Sequence, residues 1–237
     1  MGESAFTKSK GLEHWTPEVW AVLIEPIPVR GSTQVETHPA AIEYCLSNGV
    51  IGLGWDIGQP GKNFKTTDEY HDEARQLHGQ DKLTSPETFE RIKPGDLVWF
   101  AAKTTKPLEY PSEAEKIEAG KFTIAHLYLA LVVGPWEYRH TPLGWLVDIV
   151  SVVPGLIKHV GEIRGDDFMS SVQLEDTQAV QSAIMRLWKG YLTKPKTVKP
   201  VHKLGDEFVS ISKELWATVV KGINPGFRET PLLPDFK

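Results

Sequence analysis

A single cysteine, Cys45, stands among the 237 residues, which excludes a disulfide framework and any zinc site built on thiolates. No apolar run approaches the length of a membrane-crossing helix. The N-terminal stretch MGESAFTKSKGLEHW has no apolar core of a secretory leader, so a cytoplasmic protein with no membrane partner is expected. Strong charge of one sign is also missing. Twenty-six basic against 31 acidic residues leave a formal charge of −5, which argues against coating nucleic acid by broad neutralisation of phosphates.

Several catalytic signatures are missing too. Gly52-x-Gly54 is followed by Gly58, one position late for a dinucleotide fingerprint, and Gly61-Lys62 is followed by Asn63 rather than Ser or Thr. No Gly-x-Ser-x-Gly elbow occurs. The eight histidines are scattered. His71 and His78 share a helix face but lie two turns apart, about 10 Å, too far to hold one ion together, so both read as surface histidines and no metal or cofactor is expected. Cys45 lies in an apolar helical stretch and reads as a buried structural thiol. No catalytic constellation emerges, so a binding protein is expected ahead of an enzyme.

What is present is enough apolar sequence for a core, 41% of the chain, and eight tryptophans. Residues 1–17 read as a flexible N-terminus. Trp20 to Ile27 is a buried strand stopped by Pro26 and Pro28, and Thr37-His38-Pro39 starts a helix that ends at Asn48-Gly49. Val50 to Trp55 is a short strand with glycines at alternate positions, as close approach of a ligand or another backbone requires. Thr67 caps a helix over 68–78, Ser85-Pro86 opens another, and the turn Lys93-Pro94-Gly95-Asp96 delivers a strand over 97–102. Residues 103–121 form a charged loop. Phe122–Val133 is a strand turned by Gly134-Pro135, and Trp145–Val153 another turned by Pro154-Gly155. Beyond Arg164, a helix is expected from Asp176 to Tyr191, a linker over Lys194–Pro200, and over Phe208–Val220 a last helix or a strand plus helix, between which periodicity does not decide. From Arg186 to Arg228 nine basic residues face three acids, a basic segment on an acidic body. The sum is an α+β fold of five or six short strands with peripheral helices, closing into a small β-barrel, with 165–237 a C-terminal extension, partly helical and basic.

Trp20, Trp99 and Trp188 read as core. Trp55, Trp136 and Trp145 each lie at a strand end or turn, where an aromatic face is available to stack on a flat ring or enclose a methylated one. Core packing is the competing account of these three.

The succession VWAVLIEP, a helix, NGVIGLGWDIG, IKPGDLVWF, LYLALVVGPWEYRH and GWLVDIVSVVPG resembles the PUA-like superfamily. Within it the likeness is to the EVE and YTH branches and to the N-terminal domains of methylation-dependent restriction proteins. The likeness covers about residues 18–160, within a domain set at 18–164. It implies a PUA-like barrel and a reader of a modified or flipped base, DNA ahead of RNA, acting as the specificity part of a restriction, defence or regulatory system whose nuclease or NTPase effector is another chain. By the same likeness Trp55 forms one wall of an aromatic cage, and the loop holding Trp136, Tyr138 and Trp145 forms a second. Asp56 is placed to bond a base edge. It stands where the YTH branch has serine, which leaves the base and the nucleic acid open. Lys62, Lys65, Lys103, Lys106, Arg139 and His140 fall in loops beside these strands, where they are available for phosphate contacts. Two other classes stay open: a metal-dependent nuclease built on Glu162, Asp166 and Asp167 with the basic C-terminal region, and an interaction protein whose aromatic pocket takes a peptide or small molecule.

Overall fold

The computed structural model describes residues 15–24, 27–28, 35–36, 39–54, 64, 66–78, 84–104, 123–124, 126–142, 148–164, 167–171, 178, 181–182, 184–186, 198–200 and 206–222. Eleven strands and four helices are delimited there. The first eight are β1 (Val19–Ile24), β2 (Ile27–Pro28), β3 (Val35–Glu36), α1 (Pro39–Asn48), β4 (Val50–Gly54), α2 (Thr67–His78), α3 (Thr84–Glu90) and β5 (Leu97–Thr104). The others are β6 (Thr123–Ile124), β7 (His126–Val132), β8 (Glu137–Pro142), β9 (Asp148–Arg164), β10 (Asp167–Ser170), β11 (Val198–Pro200) and α4 (Asp206–Gly222).

Nine strands make one mixed sheet. Its main path runs β10-β9-β7-β5-β1-β11, with β4 and β8 also on β9 and β6 on β5, while β2 and β3 form a separate ribbon. Among the described residues, only the β1–β5 pair in this sheet is parallel. β9 is the spine. Its first half pairs with β4 and β8, its second with β7 and β10. A 17-residue strand that changes partners midway must coil, and the sheet curls into a half-barrel.

Strict alternation buries both faces of the sheet. Val19 and Ala21 of β1, Leu97 and Trp99 of β5, and Leu127, Leu129 and Leu131 of β7 point to one side, where Phe208, Ile211, Leu215, Trp216 and Val219 of α4 cover them. Trp20, Val22, Val98, Phe100, Ala130 and Val132 point to the other, inside the curl, against Cys45 of α1, Val50 and Ile51 of β4, and Phe89 of α3. That is why these strands read as unbroken apolar runs.

The turn before β5 ties the layers together. Gly95 takes φ 93°, a left-handed conformation that suits glycine, and its N–H bonds the Val132 carbonyl at 2.9 Å. Asp96, 1% exposed, accepts from the indole of Trp20 at 2.9 Å and from the backbone N–H groups of Glu18 and Lys93 at 3.1 Å each.

Several expectations are corrected. Pro154-Gly155 is no turn; β9 runs straight through it. Residues 137–142 are strand β8, and β5 extends to Thr104, so Lys103, Arg139 and His140 lie in strands rather than loops. The linker contains β11, which adds antiparallel to β1. Thr66, not Thr67, caps α2, its hydroxyl accepting the Glu69 N–H at 3.3 Å. Trp15, expected in the flexible N-terminus, is buried and donates its indole N–H to the Gly95 carbonyl at 2.9 Å. His71 is buried rather than on the surface, its ring 3.5 Å from Glu90 of α3. Of the two alternatives for 208–220, the structure has the single helix, α4. Thr37, Asp176 and Trp188 lie outside the described residues. Among those residues no helix is long and apolar enough to cross a membrane.

Candidate functional site

One end of the half-barrel gathers the strands on which the aromatic residues were predicted. Val152 of β9 pairs with Gly52 of β4 on one side and Glu137 of β8 on the other, and Ser151 likewise with Leu53 and Tyr138. Both pairings then slip at the same height. Leu53 opposes Ser151 and Gly54 opposes Ile149, while Tyr138 opposes Ser151 and Thr141 opposes Ile149. Paired irregularities at a barrel rim bend the strands and re-aim side chains. Gly54 is the residue before Trp55, and the segment 143–147, which includes Trp145, joins β8 to β9.

α2 lies against this end. Its acidic first turn, Asp68 and Glu69, complements the positive end of the helix dipole. Tyr70 and Ala74, one turn apart, put one face inward. With Phe64 they make a small aromatic core on which Trp136 and Tyr138 rest. Phe64 and Tyr138 meet edge to face, ring centres 4.9 Å apart at 84°, and Tyr70 lies 5.8 Å from Tyr138 and 6.2 Å from Trp136. Trp136 also packs on the inner core of the half-barrel. Both Trp136 and Tyr138 are half-buried. Each is held on one side by protein and keeps part of its surface open, as a stacking wall needs.

Of the predicted base-binding residues, the structure thus brings Trp136 and Tyr138 together, and Trp55, Asp56 and Trp145 lie outside the described residues. So do Lys62, Lys65 and Lys106 of the predicted phosphate contacts. Lys103 sits opposite Ile124 of β6, and His140 lies in β8 beside Arg139. Arg139 is bonded to Glu137 at 2.8–2.9 Å, so a phosphate there competes with a carboxylate two residues away. Phe64 and Tyr70 were missed; the spacing of Tyr70 and Ala74 on a capped helix was the available signal.

Cys45 and Asp96, away from this rim, are buried and structural. Burial pushes the Cys45 thiol up to about 12, against a smaller downward pull from a backbone hydrogen bond with Gly52, so no thiolate forms near neutrality. Burial raises the Asp96 carboxyl, opposed by its three N–H donors. For the nuclease reading, Asp166 lies outside the described residues and Asp167 pairs with Arg164 in the β10–β9 ladder. No group of three histidine, cysteine or acidic side chains among the described residues is arranged to hold a metal ion. Compared with models of known protein families and with curated proteins, the chain matches none.

Proposed function

We propose that the chain is a nucleic-acid-binding module of the PUA-like kind that takes a modified or flipped base, in DNA ahead of RNA, at the rim formed by β4, β8 and β9. The supporting observation is convergence. β4 and β8 flank β9, so the strand that leads into Trp55, the strand that carries Tyr138 and the strand that follows Trp145 end at one place. A curled α+β sheet with helices against it suits the same reading. So does the near-neutral charge, because an extruded base is gripped by stacking, at about 1–3 kcal/mol per base, and a few hydrogen bonds rather than by a basic surface. In this reading Asp56 meets the base edge, and Trp55, Trp136, Tyr138 and Trp145 supply the walls. Lys62, Lys65, Lys103, Lys106, Arg139 and His140 supply phosphate contacts, and a separate nuclease or NTPase chain acts on what is bound.

Fluorescence anisotropy with matched oligonucleotides tests it: unmodified, N6-methyladenine and 5-methylcytosine, single- and double-stranded, against wild type and Trp55→Ala. A preference of tenfold or more for one modified oligonucleotide, about 1.4 kcal/mol, that disappears in Trp55→Ala is the expected result. Equal affinity for all of them removes base reading from the proposal, and no binding to any overturns it.

A further inference from the structure

The other half of β9 carries a second constellation. β7 and β9 pair in register from Val132–Gly155, and then the register shifts: Tyr128 opposes His159 but Leu127 opposes Gly161, so Val160 is an extra residue on β9. In an unbroken strand, positions 159 and 162 face opposite sides of a sheet. The extra residue returns Glu162 to the face of His159, directly across from His126. The bulge is pinned from β10, where the Ser170 hydroxyl and the Ser171 N–H both donate to the Val160 carbonyl, at 3.5 and 3.0 Å, and the Ser171 hydroxyl donates to the His159 carbonyl at 3.3 Å.

The consequence is a pair of imidazoles in contact, with Nδ1 of His126 3.3 Å from Nε2 of His159. Two nitrogens each about 2.0–2.1 Å from one tetrahedral zinc ion are themselves about 3.3–3.4 Å apart. The pair is exposed, so water can fill the remaining positions. Tyr128 packs against the His159 ring at 5.3 Å and restricts its rotation.

We propose that His126 and His159 form a two-histidine site for a first-row transition ion such as Zn2+, with the Glu162 carboxylate adding attraction and water completing the shell. Binding selects the tautomer in which both facing nitrogens carry lone pairs, replacing the hydrogen bond between the rings with two metal bonds. The site is independent of base reading: His159 lies eight residues along β9 from Ser151, up to about 26 Å of strand.

Isothermal titration of the full chain with zinc chloride is the direct test, with His126→Gln, His159→Gln and the double variant in parallel and magnesium chloride as control. The expected result is one zinc per chain at a Kd on the order of 10 µM, weakened tenfold or more by either substitution, and no heat with magnesium. Thermal melts check folding, because all variants are expected to melt like wild type without zinc and only wild type to gain Tm with it. No binding by wild type at millimolar zinc, or binding unchanged in the double variant, overturns the proposal.

Discussion

Asp96 shows how much one side chain can organise. Its two oxygens accept three N–H donors, from Trp20 of β1, from Glu18 just before it and from the turn that opens β5, and only a carboxylate offers acceptors on both sides. Either rotamer of asparagine aims an amide NH2 at a backbone or indole N–H. Asp96→Asn is therefore expected to cost about 1–3 kcal/mol, read as a fall in the denaturant midpoint at unchanged slope. Because burial raises the folded-state pKa, the folded state holds this proton longer than the unfolded chain does. Stability from this group is then fully present below the ordinary carboxylate value and declines as pH rises through the folded value. The asparagine variant lacks that decline. Trp216 is a contrasting case. Its buried indole N–H has no hydrogen-bond partner among the described residues, whereas that of Trp99 donates to the Ser212 hydroxyl at 3.0 Å, which in turn donates to the Phe208 carbonyl at 2.8 Å. No sequence pattern distinguishes these two tryptophans; α4 lays Ser212 against Trp99, whereas Trp216 is carried by α4 itself.

At the scale of elements, β9 is where sequence reasoning and structure part. Pro154-Gly155 reads as a turn because the pair usually makes one. In the sheet, the Gly155 N–H donates to the Gly49 carbonyl at 2.8 Å on the β4 side, while the Pro154 carbonyl accepts from Val133 on the other. The N–H that proline lacks falls at the gap between the end of β7 and the start of β8, where no strand asks for it. Glycine at the next position fits a tight core: a Cβ at position 155 would stand 2.7 Å from Cδ1 of the buried Ile51, so that side chain would have to shift. Gly155→Ala is expected to cost about 1–3 kcal/mol, and Ile51→Val, which deletes that methyl, to recover about 1 kcal/mol of it in a double-mutant cycle. Additive losses would mean that the strand shifts instead. The strands with both faces buried were legible from apolar runs, and α1 from its proline start and glycine stop. β8 and β11 were not, since EYRHTP and VKP lack apolar alternation; β8 owes its strand state to β9, which follows it directly, and β11 to β1, far along the chain.

For the molecule as a whole, the core that a reader of the sequence would assign to residues 18–164 is shared with the C-terminal extension. Phe168, Ile184, Phe208, Ile211, Leu215 and Trp216 lie in the same cluster as Trp99 and Leu129. Part of the basic segment is also spent on structure: Arg186 pairs with Glu207 at 3.3 Å, and Lys213 stands 5.9 Å over the ring of Trp15. A chain ending at Arg164 exposes a continuous apolar face and is expected to aggregate or to bind a hydrophobic dye without a cooperative melt. A sharp melt of a monomer would show that the sheet stands alone. The candidate site was legible in part for the same reason that the boundary was not. The order of short motifs placed aromatic residues near strand ends, but which strands share a rim is decided by β9, whose partners no local pattern announces.

The placement of β1 bears on how the protein is made. β1 leaves the ribosome before both of its neighbours: one flank waits for β5 and the other for β11, with Ala21 pairing with both Trp99 and Lys199. Until β11 has followed, a wholly apolar strand has an open edge, which is the condition under which nascent chains pair with the wrong partner. The interval between the synthesis of β1 and that of β11 is thus the one in which this chain is most open to mispairing.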